Sequence, residues 1–81
     1  GEDADVSLSI VNQGAVIDGK VNHSVIFNKV VIEKGAFVED SVIMPNTVIK
    51  GNVHIKRAIV GPNLVITENG VSEDEIILIN E

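Results

Sequence analysis

The sequence repeats itself between positions i and i+17 along most of its length, and this period limits what the chain can fold into. In blocks 24–40, 41–57 and 58–74, successive branched aliphatic residues of one frame follow one another at spacings of six, six and five, with two such residues in the last block. These aliphatics are Ile26, Ile32, Val38, Ile43, Ile49, Ile55, Val60 and Ile66. An amphipathic helix needs apolar residues three and four positions apart, so the spacing instead predicts coils of three short strands. We expect the aliphatics to point inward, with residues i and i+17 stacked in parallel strands.

The repeat is irregular at both ends. Residues 9–23 fit the frame when two positions are dropped near Asp18 and Gly19, which predicts one coil with a tighter corner. A fourth block opens at position 75, and the unbroken frame places Ile76 over Ile59.

A mostly small residue stands two positions before each inward aliphatic. Ser24, Ser41 and Ala58 hold this position on one face of the predicted coil, and Ala36 and Gly70 hold it on another. Strand alternation points these side chains inward as well. We expect small residues there because the coil narrows toward a corner.

Composition supports strands and argues against several functional classes. Apolar residues make up 44% of the chain and only Phe27 and Phe37 are aromatic, so Val and Ile must form the core, which favours strands. A net charge of −6 with scattered Lys and Arg argues against nucleic acid as a partner. Without cysteine, no disulfide framework is expected. No apolar run approaches the roughly 20 residues of a membrane span, and the acidic start lacks signal-peptide features, so we expect a cytoplasmic protein with no membrane partner.

The pattern of aliphatic, two variable residues and a small residue, repeated in sixes, resembles the hexapeptide repeat of left-handed parallel β-helices. The resemblance implies an all-β, single-stranded left-handed parallel β-helix in which each block of the repeat forms one coil. We expect a lead-in at 1–8, the β-helix at 9–79 and a tail at 80–81. The handedness comes from the resemblance alone, since parallel crossovers are otherwise right-handed.

Two segments are similar to the C-terminal domain of bacterial glucose-1-phosphate adenylyltransferases. They are GAVIDGKVNHSVIF at 14–27 and VEDSVIMPNTVIKGNVHI at 38–55. The resemblance implies a parent nucleotidyltransferase that forms ADP-glucose and pyrophosphate from ATP, with magnesium, and glucose 1-phosphate in glycogen biosynthesis. The family's glycine-rich phosphate loop has no match, because the sequence contains neither Gly-Gly nor Gly-x-Gly. We therefore expect this segment to be non-catalytic, with no catalytic, cofactor-binding or metal-binding residue.

In that family the β-helix packs on an N-terminal catalytic domain, takes part in tetramer contacts and helps to form effector sites. The resemblance thus implies as partners the catalytic domain and related subunits, in a homo- or hetero-oligomer. It fits a catalytic subunit and a non-catalytic regulatory subunit equally well.

Outward positions carry apolar residues where a free solenoid would carry polar ones. Stacked apolar ladders of this kind usually mark an interface in soluble proteins, although β-branched residues also simply favour strands. We hypothesise an interface on the first face. Its residues are Val25, Phe27, Val42, Met44, Ile59, Ile76 and Leu78.

Three cations are candidates for a phosphorylated effector. Lys50, Lys56 and Arg57 could place positive charge near one edge of the coil, while solvated corner charges are the commoner explanation.

Other functions find weaker support in the residues. Gly14 to Lys20 matches a phosphate-loop spacing, but Val21 stands where Ser or Thr is needed. Hexapeptide acyltransferases use a histidine as general base, and the frame places His23 at a corner with Asp40 and Arg57. It places His54 in the outward column of Phe37 and Val71, and two histidines cannot supply a three-histidine zinc site. An acyltransferase module, or the tail of another sugar-phosphate nucleotidyltransferase, remains the alternative.

Overall fold

A computed structural model describes residues 5–80 as a stack of coils, each built from three short strands. Every strand pairing is parallel, and the strands fall into three sheets. No helix lies within residues 5–80, and this part of the chain accordingly holds no helix long and apolar enough to cross a membrane. The prediction of an all-β parallel β-helix is confirmed.

The strands follow one another from sheet to sheet along the chain. Sheet A contains β1 (Asp5–Ser7), β4 (Lys20–Asn22), β7 (Phe37–Glu39), β10 (His54–Lys56) and β13 (Gly70–Val71). Sheet B contains β2 (Ile10–Val11), β5 (Val25–Ile26), β8 (Val42–Ile43), β11 (Ala58–Val60) and β14 (Ile77–Ile79). Sheet C contains β3 (Val16–Ile17), β6 (Val31–Ile32), β9 (Val48–Ile49) and β12 (Val65–Ile66). We number the coils 1 to 4, beginning at β2, β5, β8 and β11; β1 precedes coil 1 and β14 follows coil 4.

The register between coils 2 and 3 has the period predicted from the sequence blocks. Val25 pairs with Val42 in sheet B and Val31 with Val48 in sheet C, so residues i and i+17 are neighbours. The segment 1–8, predicted as a lead-in, contains β1, which pairs with β4 in sheet A.

Coil 1 is shorter, as predicted, and the shortening lies at the corner between sheets C and A. Ile17 pairs with Ile32, whereas Lys20, after the corner, pairs with Phe37 and has returned to the i, i+17 register. Gly19 lies between them, where an added Cβ would stand 2.5 Å from the carbonyl oxygen of Ala36. Only glycine fits this tightened corner because main-chain atoms fill the space a side chain would need.

The inward aliphatics form one continuous core. Ile26, Ile32, Val38, Ile43 and Ile49 have no measurable exposure. Burying each such side chain contributes about 1.5–3 kcal/mol relative to leaving it exposed. The inward assignment read from the spacing is confirmed.

The buried serines form a hydrogen-bonded ladder at the corner between sheets A and B. The Ser24 hydroxyl donates to the Asn22 carbonyl at 2.9 Å and accepts the Ser41 N–H at 3.0 Å. The Ser41 hydroxyl repeats both bonds with Glu39 and Ala58. Size alone does not explain these positions, because each hydroxyl also satisfies a main-chain N–H of the next coil.

The last coil departs from the frame, and the prediction that Ile76 stacks on Ile59 is wrong. Leu78 takes that place and pairs with Ile59, because the corner at 72–76 is long. The preceding corner is short, so that Gly70 pairs with Ile55 although the unbroken frame would put Ser72 there.

The same change of register moves two further residues. Val71 pairs with Lys56, so the prediction that it shares the column of His54 is wrong. Gly70 was predicted as a small residue beside an inward aliphatic, yet it lies in the aliphatic column itself, over Ile55. A Cβ on Gly70 would lie 2.5 Å from the δ-methyl of Ile79. Ile79 therefore covers this end of the core in place of a side chain at position 70.

Candidate docking surface

The three sheets differ in the chemistry of their outer surfaces. Outward residues of sheet A are largely polar, including Lys20, Asn22, Glu39 and Lys56. Every outward residue in the described strands of sheets B and C is apolar. In sheet B they are Ile10, Val25, Val42, Ile59 and Leu78, and in sheet C they are Val16, Val31, Val48 and Val65. Parallel pairing in register stacks each set into a continuous apolar ladder.

The outer surface of sheet B, together with the corner residues Phe27 and Met44 and the neighbouring Ile76, is here called the B face. Its exposure is highest at the two ends, where Ile10 is 64% and Leu78 70% exposed. Phe27 and Met44 are half-buried beside the ladder, just after β5 and β8. Seven of these eight residues are those predicted for the interface, so the structure brings the predicted set together on one side of the molecule.

Ile76 lies at the B face, but outside the strand in which the sequence frame placed it. It lies in the long corner before β14 and is 66% exposed. There it lines a shallow groove with Val25 and Val42. The groove has a volume of about 340 Å³ and runs beside the corner between sheets A and B.

The wall of this groove is polar. His23, Asp40 and Arg57 occupy successive coils at the corner, with φ of 52°, 49° and 57°. Nδ1 of His23 and Oδ1 of Asp40 are 2.9 Å apart. Nε of Arg57 is buried without a hydrogen-bond partner, and leaving a buried donor unpaired is costly. The groove thus combines apolar side chains with a polar wall.

The three cations predicted for an effector do not form one cluster. Lys50 lies at the corner between sheets C and A, whereas Arg57 lies at the corner between sheets A and B. Nζ of Lys50 is 3.2 Å from Oε2 of Glu33, and this hydrogen bond, with one from the Gly51 N–H, lowers the pKa of Glu33. Nζ of Lys56 is 3.7 Å from Oε2 of Glu73.

The two histidines lie in different surroundings. The imidazole of His54 stacks on Phe37 with ring centroids 4.9 Å apart. Its Nε2 is 3.1 Å from Oε1 of Glu39. His23 belongs to the groove wall instead. Within residues 5–80, no group of three or more His, Asp and Glu side chains is placed to hold a metal ion.

A family model described as "GlmU-like, C-terminal hexapeptide" matches residues 1–75 of the chain. The chain is also similar to glucose-1-phosphate adenylyltransferases from Bacillus thuringiensis (strain Al Hakam), Bacillus mycoides (strain KBAB4) and Bacillus anthracis. Each is 50% identical over 40 residues, which cover 49% of this chain and 11% of the relative. The similarity therefore concerns a small part of a much longer enzyme.

Proposed function

Because the chain belongs to the family of GlmU-like C-terminal hexapeptide domains, we propose that it is the C-terminal domain of a glucose-1-phosphate adenylyltransferase. Its role there is to hold the enzyme's domains and subunits together and to take part in regulation. The similarity to the Bacillus enzymes supports this parent. The observation that carries the role is the B face, an apolar ladder in register across every coil.

The parent enzyme would transfer the adenylyl group of ATP to glucose 1-phosphate, releasing pyrophosphate and forming ADP-glucose for glycogen in the cytoplasm. The described residues do not fit a magnesium site, because they offer no suitable cluster of metal-binding side chains. In this proposal magnesium and ATP bind in the N-terminal catalytic domain of the parent enzyme. The domain contributes shape and contacts, and no step of the reaction passes through its residues.

The B face is suited to burial against protein. Contiguous apolar surface of this kind is uncommon on free soluble proteins, and ladder residues such as Ile59 and Leu78 are 37% and 70% exposed. The occupant is the catalytic domain of the same chain or of a related subunit. The polar groove wall of His23, Asp40 and Arg57 lies beside the ladder, and polar groups of the partner that match it would add direction to an otherwise apolar contact.

The outer surface of sheet A differs from the B face. Its outer surface holds polar contacts that bridge coils: Nε2 of His54 lies 3.1 Å from Oε1 of Glu39, and Lys56 forms an ion pair with Glu73. Charged side chains of this kind are depleted at the centres of interfaces. We infer that sheet A faces solvent, where a phosphorylated effector would replace Glu73 as the partner of Lys56.

An acyltransferase module is the second candidate, and the pairing of His23 with Asp40 favours it. A carboxylate 2.9 Å from Nδ1 would orient the ring so that Nε2 accepts a proton from an acceptor hydroxyl. The His23 side chain is 71% exposed, which permits access. Binding of coenzyme A by the full-length protein would separate this candidate from the first.

The function is tested with the full-length protein, assayed for pyrophosphate release from ATP and glucose 1-phosphate, alone and with the related subunit encoded beside it. Activity alone supports a catalytic subunit, and stimulation of an active partner supports a regulatory one. If neither mixture forms ADP-glucose and coenzyme A binds, the acyltransferase replaces our proposal. If neither occurs, the proposed parent is wrong.

A further inference from the structure

We propose that Asn69–Gly70 is a site of spontaneous deamidation that alters the last complete coil. Asn69 is the only asparagine in the sequence that precedes glycine. It is exposed at the corner between sheets C and A, one position before β13. A glycine has no Cβ, so other groups can approach its main-chain nitrogen closely, including the side chain of the residue before it.

The reaction needs only water as a co-reactant. Once hydroxide has removed its proton, the Gly70 nitrogen attacks Cγ of Asn69 and forms a cyclic succinimide. The Cγ–Nδ2 bond breaks, and Nδ2 leaves with a proton as ammonia. Water then opens the ring at Cγ, which releases the Gly70 nitrogen and gives aspartate, or at the main-chain carbonyl, which gives isoaspartate. In sum, one amide and one water become one carboxylic acid and one ammonia, with no oxidation or reduction.

The fold supplies a hydrogen-bond donor to the reacting amide. The main-chain N–H of His54 donates to Oδ1 of Asn69 at 2.7 Å. In the coil below, the equivalent N–H of Phe37 donates to the main-chain carbonyl of Val53 instead. Negative charge develops on Oδ1 during the attack, and a fixed N–H directed at that oxygen stabilises it. The Asn69 side chain is thus both held and activated at the end of sheet A.

Asn52 provides a matched comparison within the same molecule. It lies at the corresponding corner of coil 3 and is also exposed, with φ of 66°. It is followed by Val53, a branched residue that is only 4% exposed. The Val53 side chain crowds the main-chain nitrogen that would have to attack, so Asn52 should keep its amide.

Isoaspartate at position 69 would matter because this corner is already short. It adds one carbon to the main chain between β12 and β13. Across this corner the sequence distance between paired residues decreases, because Ile55 and Gly70 are closer in sequence than Ile49 and Ile66. Gly70 lies directly under the δ-methyl of Ile79. We expect isoaspartate to displace β13 and to loosen Ile79 over the core, whereas aspartate keeps an acceptor for the His54 N–H.

The test incubates the full-length protein at mildly alkaline pH beside a synthetic peptide of residues 66–73. Proteolytic peptides are then analysed by mass spectrometry, and isoaspartate is identified by enzymatic methylation. We expect residue 69 of the folded protein to show the amide-to-acid mass shift several-fold faster than Asn52. The Gly70→Ala variant, checked for folding by circular dichroism, should lose most of this conversion.

Two results would overturn the proposal. The first is conversion of the synthetic peptide while residue 69 in the folded protein stays an amide, since the fold would then protect the site. The second is equal conversion of residues 52 and 69, since neither Gly70 nor the His54 N–H would then confer selectivity.

Discussion

The hydroxyl oxygen of Ser41 accepts the main-chain N–H of Ala58 from the next coil at 3.0 Å. The same hydroxyl donates to the Glu39 carbonyl at 2.7 Å. Ser41 is 4% and Ala58 1% exposed, so water cannot readily replace either bond. The serine ladder therefore connects consecutive coils at a corner where the main chain alone leaves a donor unpaired.

Replacing Ser41 by alanine should destabilise the domain through this lost bond. The N–H of Ala58 would be buried without a partner, at a cost of about 1–3 kcal/mol. Urea unfolding followed by circular dichroism measures the change in the free energy of unfolding. Ser9→Ala is the matched control, because Ser9 makes a similar bond to the Ser24 N–H but lies at a more exposed position. Equal losses for the two variants would contradict the role of burial.

Replacing Gly19 by alanine should strain the shortened corner. The added Cβ would meet main-chain oxygens of Ala36 and Glu33 at 2.5 and 2.6 Å, which cannot move without shifting β7 and the turn before it. We expect a loss of about 1–3 kcal/mol, as for other overpacked sites. Gly70→Ala should cost less, because its nearest neighbour is the flexible end of Ile79. Thermal unfolding of both variants measures the two losses of stability. A larger loss for Gly70→Ala than for Gly19→Ala would contradict this expectation.

Truncating inward and outward residues of sheet C should have very different effects. Ile49→Ala leaves a cavity in the core and should cost about 2–5 kcal/mol. Val65→Ala removes an outward side chain that is 63% exposed and should change stability by no more than about 0.5 kcal/mol. Both are measured by denaturant unfolding. Similar losses would contradict the assignment of inward and outward positions.

The pairing of Glu33 with Lys50 should make stability depend on pH in the acidic range. The hydrogen bond from Lys50 and that from the Gly51 N–H lower the pKa of Glu33 from its ordinary value of 4.5. A carboxylate with a lowered pKa contributes its stabilisation fully above the unfolded value, and this is lost as pH falls through the folded pKa. The contribution is small because Glu33 is at the surface.

Glu33→Gln should therefore reduce stability slightly at neutral pH and leave it unchanged well below the pKa. Thermal unfolding of the variant and the original protein across the acidic range measures the difference. A difference that grows toward low pH would have the wrong sign for this account.

Much of the fold could be predicted because the signal is periodic. Inward residues such as Ile43 and Ile49 follow the six, six and five spacing, and dropping two positions near Gly19 identified the short coil. The last coil could not be read in this way. The run from Ile76 to Ile79 offers two registers of equal apolar content, and the packing of Ile79 over Gly70 selects between them.

The docking surface was only partly predictable for a related reason. The apolar ladder is visible in the sequence, because residues before each inward aliphatic, such as Val25 and Val42, are themselves aliphatic. The groove is not visible in the sequence, since it depends on how the long corner at 72–76 brings Ile76 beside Val25 and Val42. For the serines, the sequence indicated only that a small residue is needed at these positions. No sequence pattern indicated that Nε of Arg57 would be buried without a hydrogen-bond partner.

The most direct test of the central claim compares two cysteine variants in the native full-length protein. Ile59→Cys lies on the B face and Val71→Cys on sheet A, and the original residues are similarly exposed in this domain, at 37% and 43%. Maleimide labelling is followed by peptide-resolved mass spectrometry, so that other cysteines of the parent do not interfere. We predict that Cys at position 59 is labelled many-fold more slowly than Cys at position 71, because a partner covers the B face. Equal labelling rates at the two positions would contradict a docking role for this surface.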